Sequence, residues 1–211
     1  ISFASLFEQF VPGWRSDNFN LRTAVAIPDD ELWNAHRTSK KRLIEFVNRE
    51  VNAGMDVDVL TIGFARRAAT YKRGDLIFDD VERLRRIPQN VGKLQIVFAG
   101  KAHPHDEQGK QMIQHIIQLG RSLADDVAVA YLPNYEMQLA RMLVAGVDVW
   151  LNTREPPLEA SGTSGMTAAI NGVPSLSILD GWWVEGCVEG ITGWAIGADG
   201  QPVRPDFICL S

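Results

Sequence analysis

The 211-residue sequence holds only two cysteines, Cys187 and Cys209. Two fit neither a disulfide framework nor a spaced metal-ligand quartet, and they suit a reducing compartment, with the cytoplasm as the expected location. No run of about 18 or more apolar residues is present to span a bilayer. The N-terminal stretch carries Glu8 and no basic leader, so no membrane partner is expected. Positive charge is not in excess either. The formal net charge of -5 argues against a general nucleic-acid binder, which needs a basic face toward phosphates. Low-complexity tracts, internal repeats and flexible linkers are also missing. What remains, 45% hydrophobic and 22% charged, is the makeup of a globular chain long enough for one large domain or a lobe of a larger protein.

Residues 1–28, punctuated by Pro12-Gly13 and Pro28, read as an irregular connecting segment, and residues 29–211 as the folded unit. Asp29 and Asp30 are placed to cap a helix. Leu32, His36, Leu43, Phe46, Val47 and Val51 give it helical spacing, Arg37, Lys40, Lys41 and Arg42 form its solvated outer face, and Gly54 follows its end. Beyond Val57 short apolar runs at 60–65, 94–99, 127–131, 147–151 and 175–179 alternate with helical segments near 71–86, 106–120, 135–145 and 163–171. A short further strand is expected at 194–196. This alternation predicts an α/β, Rossmann-like parallel sheet with right-handed crossovers and helices on both faces.

In such a sheet, ligands bind beyond the carboxyl ends of the strands, which directs attention to four loops. After the first strand comes Arg66-Arg67-Ala-Ala-Thr-Tyr71-Lys72-Arg73. Arginine can hold two oxygens of a phosphate and lysine acts as a point charge, so the loop is a candidate anion site, although such charges can also be merely solvated. The second loop, Gly100-Lys101-Ala102-His103-Pro104-His105-Asp106, has histidines without a second ligand cluster and reads as a capped helix start, so no metal is expected. The third, Leu132-Pro133-Asn134-Tyr135-Glu136, offers Tyr135, in isolation a packing residue. The fourth runs through Leu158-Glu159-Ala-Ser161-Gly162-Thr163-Ser164-Gly165-Met166-Thr167 toward Gly172. Its small residues let backbone approach a ligand, Thr163 or Ser164 can cap the following helix, and the helix start offers amides to an anion. An ordinary capped connection would use the same residues.

Taken together these motifs, in this order and across nearly all of 27–197, closely resemble the C-terminal lobe of the α-glucan (glycogen, starch or maltodextrin) phosphorylases. Asp180-Gly181-Trp182-Trp183 follows the short bacterial branch; the paired tryptophans could stack on a sugar or be buried. The resemblance implies one lobe of a two-lobed, GT-B-type glycosyltransferase, with the N-terminal lobe a missing partner. It implies Arg67 and Lys72 as catalytic ligands of the substrate phosphate. Glu159, the amides of Ser161 and Gly162, and Lys101 would serve the substrate, and Arg66, Tyr135, Thr163 and Ser164 would adjoin the cofactor, pyridoxal phosphate. The family's lysine, which carries that cofactor as a Schiff base, is replaced here by Thr167. Threonine cannot form the imine, so covalent attachment at this position is excluded.

By resemblance the reaction is reversible phosphorolysis of an α-1,4-glucan by inorganic phosphate to glucose 1-phosphate. The chain by itself is expected to show little or no catalysis. Two alternatives stand beside this: a non-catalytic phosphate- or sugar-binding module, and a cofactor-independent nucleotide-sugar transferase. The last lacks the paired acidic spacing it would need, since Thr167 stands eight residues after Glu159. A homodimer is left open.

Overall fold

A computed structural model describes residues 3–66, 73–156 and 161–197. Six parallel strands form one sheet in the order β3-β2-β1-β4-β5-β6. They are β1 (Leu60–Ala65), β2 (Leu94–Ala99), β3 (Ala128–Leu132), β4 (Val149–Asn152), β5 (Ser175–Ile178) and β6 (Gly193–Ile196). The helices are α1 (Phe3–Phe10), α2 (Asp29–Val51), α3 (Val81–Asn90), α4 (Glu107–Ser122), α5 (Met137–Gly146), α6 (Thr163–Ile170) and the short α7 (Trp183–Gly186). The expected α/β, Rossmann-like lobe is therefore the fold observed.

Central strands buried on both faces need mainly apolar sequence, and β2, buried at every position, supplies it everywhere but at Gln95. Alternate residues then feed two cores. Ile62, Phe64, Ile96, Phe98 and Leu176 meet α3 and α4 on one face. Val97, Ala99, Ala130, Leu132 and the fully buried Trp150 meet α2, α5 and α6 on the other. The one polar residue inside β2, Gln95, is satisfied by Thr61 Oγ1 at 2.8 Å and by both backbone polar groups of Asp56 at 2.7 and 3.1 Å.

Several expectations are corrected. The segment 1–28 is not irregular: α1 and a 3-10 turn over Asn18–Ala26 bury Leu6, Val11 and Ile27 against Ala35 of α2. Helix α1 is only eight residues long, too short for its periodicity to stand out from the surrounding turns. Pro28, not an aspartate, takes the N-cap of α2, and Asp29 and Asp30 instead favour the positive end of its dipole from inside the first turn. Lys40 is not on a solvated face but 5% exposed. The helix expected near 71–86 is a 3-10 turn at Leu76–Phe78, then α3 beginning after Asp80, whose carboxylate accepts from Arg83 N at 2.8 Å. An aspartate cap in mid-segment restarts the helix there.

From β1 the chain winds outward through β2 and β3, then returns to the other side of β1 as β4. The carboxyl ends of β1 and β4 therefore flank the point where strand order reverses, the crevice in which open α/β sheets hold ligands.

Candidate functional site

Arg66 follows β1 into this crevice. Its amide donates to Ala99 O at 3.0 Å, which continues the β1 pairing by one residue, and its side chain is drawn into the fold, leaving the residue only 8% exposed. Gly100, just past β2, is required to be glycine: a Cβ there would overlap the Arg66 carbonyl oxygen. The two loops are thus locked against each other through backbone. Tyr131 Oη donates to Gly100 O at 3.0 Å from β3, and burial raises the phenol above its usual range. Tyr135, in the loop before α5, is likewise raised by burial and drawn back by the positive charge of Arg66. Arg66 and Tyr135, both expected beside the cofactor, are therefore brought within electrostatic reach of each other.

Beyond β4, Thr153 Oγ1 donates to Arg73 O at 2.8 Å, tying the end of the β1 loop to the end of β4. Arg73 has a φ of 43°, a left-handed value that side chains other than glycine seldom adopt. The Asn152–Thr153 pair was not among the expected site residues. Asn152 Nδ2 donates to Ser177 Oγ at 3.0 Å, and its Oδ1 is buried with no protein partner among the described residues. Polar residues at the end of an apolar strand, at the switch point, are the signal that would have found them.

The α6 start differs from expectation in one respect. Gly162, at a φ of 83°, is the N-cap, and Thr163 is already the first helical residue, so neither Thr163 nor Ser164 caps. A glycine at this place allows the left-handed turn that leads into the helix. The helical ladder begins with Gly165 N and Met166 N donating to Gly162 O at 3.0 and 3.3 Å, so the amides of Thr163 and Ser164 lie ahead of it. Ser161 O accepts from Trp182 N at 3.0 Å. The Trp182 ring is packed against Gly165, where a Cβ would come 3.0 Å from Nε1, and Trp183 is buried at 1% exposure. Burial, not sugar stacking, accounts for Trp183.

The Thr167 hydroxyl donates to Thr163 O one turn back at 2.8 Å. The residue is exposed, and its hydroxyl serves the helix backbone. Lys101 is exposed beyond Gly100. Asp106 caps α4 as expected, accepting from Gly109 N at 2.8 Å. Among the described residues no three His, Cys, Asp or Glu side chains gather as a metal site, and no helix is long and apolar enough to cross a membrane. Arg67, Tyr71, Lys72 and Glu159 lie outside the described residues, as does Cys209.

Comparison with known proteins gives these positions their context. The family model for carbohydrate phosphorylases matches residues 7–190. A glycogen phosphorylase of Aquifex aeolicus is 48% identical over 189 residues, covering 81% of this chain and 27% of that protein. A maltodextrin phosphorylase of Thermococcus litoralis is 47% identical over 184 residues, covering 81% of this chain and 22% of its own length. The potato α-1,4 glucan phosphorylase L-1 isozyme is 27% identical over 171 residues. The chain therefore spans about a quarter of the length of these relatives. With its six-stranded parallel sheet, its glycine-held strand ends and these matches, the chain belongs to the carbohydrate phosphorylase family.

Proposed function

We propose that this chain is the phosphate- and sugar-holding lobe of an α-glucan phosphorylase-type glycosyltransferase, and that it does not carry out phosphorolysis by itself. The observation that carries this reading is the buried Arg66 just past β1, within electrostatic reach of Tyr135, on the same carboxyl edge of the sheet from which α6 starts after β4. A guanidinium and helix-start amides are complementary to a phosphate, and a site shielded from water strengthens that attraction. Arg67 and Lys72 would add the charge that a substrate phosphate needs. Glu159 and the amides of Ser161 and Gly162 would take the hydroxyls of a glucose ring, with Lys101 at the rim. The substrates of the complete reaction would be an α-1,4-glucan and inorganic phosphate, giving glucose 1-phosphate, with a second lobe closing the cleft.

The residues present do not fit covalently held pyridoxal phosphate, because the hydroxyl of Thr167 cannot form an imine and is turned onto Thr163 O. What the chain supplies is binding and orientation: cations that hold two oxygens at once, and amides fixed by Gly162.

Calorimetric titration with inorganic phosphate tests the reading. Saturable binding is expected, weakened about tenfold or more in Arg66→Ala, since a charge-assisted contact contributes about 1.5–3 kcal/mol. Absence of binding at millimolar phosphate, or binding indifferent to Arg66→Ala, would overturn it.

A further inference from the structure

The opposite, amino-terminal edge of the sheet carries a second concavity that the phosphate site does not use. A groove of about 680 Å³ runs between the first turns of α2 and the starts of β1, β4 and β6. Its volume falls inside the about 300–1,000 Å³ of small-molecule sites. Two indoles line it from separate elements, Trp33 on α2 and Trp194 on the edge strand β6, exposed by 57% and 39%, and Leu60, 47% exposed, also lines it. Trp33 is backed by the His36 ring at 5.6 Å, which limits its rotamers.

Both cations lining the groove are already paired with carboxylates. Arg37 holds Asp58 at 2.9 Å, and Lys40 holds Asp148 at 2.6 Å. With Asp29 added, the lining has three carboxylates against two committed cations, so an anion would meet no net attraction. The remaining chemistry is two flat apolar faces rimmed by groups that donate and accept hydrogen bonds. An uncharged ligand with apolar C–H faces and a hydroxyl periphery matches it, and a pyranose chain has that form.

We propose that this groove is a secondary binding site for a short segment of α-1,4-glucan, with Trp33 and Trp194 as stacking platforms and Asp29, Arg37 and Asp58 as hydroxyl partners. The choice of glucan rests on the α-glucan reading above. A site at this edge tethers the polymer far from the phosphate site and raises its local concentration around the lobe.

The six tryptophans give six indole N–H signals, so maltotriose titration of the 211-residue chain followed by proton–nitrogen NMR resolves the location. The expected result is movement of the Trp33 and Trp194 indoles, with affinity about tenfold weaker in Trp33→Ala, the loss of one apolar face. Trp33 is exposed enough that this variant keeps the fold. Movement of Trp182 alone would place the sugar at the α6 edge, which overturns the groove and leaves the phosphorylase-type reading standing. No indole movement, while phosphate still binds, would also overturn the groove and not that reading. A stronger response of Trp33 and Trp194 to tetramethylammonium than to maltotriose would show a cation cage and overturn the glucan assignment.

Discussion

At the amino edge of the sheet the charges are gathered and satisfied, whereas at the carboxyl edge the backbone itself is what has been shaped. Asp148, just before β4, accepts from Lys40 Nζ at 2.6 Å and from Thr61 N at 2.7 Å, and shares a 2.7 Å hydrogen bond with His36 Nε2. Its own amide returns a bond to Thr61 O at 2.9 Å. Burial raises this carboxyl, but the hydrogen bonds from His36, Lys40 and Thr61, with the Lys40 charge, outweigh burial and hold it below the ordinary carboxylate value. The carboxyl edge has instead a left-handed Arg73, a left-handed Gly162 and a Gly100 pressed against the Arg66 carbonyl. One edge clamps α2 to β1 and β4. The other brings the buried Arg66 against Gly100 and starts α6 from a left-handed glycine.

Breaking the clamp should have the largest effect. Asp148→Ala strands the Lys40 ammonium in a site that is almost closed to water, and urea unfolding at pH 7 should show a loss of about 3–5 kcal/mol. The pH dependence sharpens the assignment. A carboxyl lowered in the fold stabilises fully above its unfolded value of about 3.9, and that stability is lost as pH falls through its lower folded value. The stability gap between the parent chain and Asp148→Asn should therefore be open above about pH 4 and close below it. A gap that stays open in acid would remove the charge from the explanation.

Gly100→Ala tests the other edge. The added methyl meets a backbone carbonyl, which cannot swing aside as a side chain could, so a cost of about 1–3 kcal/mol is expected in urea unfolding. Because the carbonyl that must yield belongs to Arg66, phosphate affinity should fall with it. Retained affinity would show that Arg66 is not held through this contact.

The smallest effect on stability should come from Thr167→Lys. The residue is exposed on α6 and lysine is the better helix former, so the change should stay within about 0.5 kcal/mol. Its readout is chemical. After incubation with pyridoxal phosphate and borohydride, intact mass and peptide mapping should find an adduct at position 167 of the variant, and none at that position in the parent. A variant that takes no adduct there would show that the pocket around α6, and not only residue 167, has lost its fit.

Much of the architecture was legible because it depends on local pattern. Strand β1 and β2 match their apolar runs residue for residue, and β3 to β6 lie within two residues of theirs, because strands packed between helix layers draw on mainly apolar runs. The cap at Asp106 was legible for a similar reason, since an aspartate ahead of a helix satisfies an amide within its own segment. Lys40 was not. On sequence it sits in a run of basic residues, and only the distant Asp148 explains why it is buried. Gly162 was legible as a small residue near a helix start but not as the cap, because the left-handed turn depends on how the loop enters α6.

The sequence by itself determined the alternation of strands and helices, the family and the replacement of lysine by Thr167. Periodicity and residue identity are local properties that no packing can change. Only the tertiary structure decided that strand order reverses between β1 and β4, that Arg66 lies against Gly100 and within reach of Tyr135, and that Asp148 neutralises a helix more than a hundred positions away. Those facts arise from contacts between residues remote in the chain, where burial and charge pairing are properties of the assembled fold and not of any segment within it.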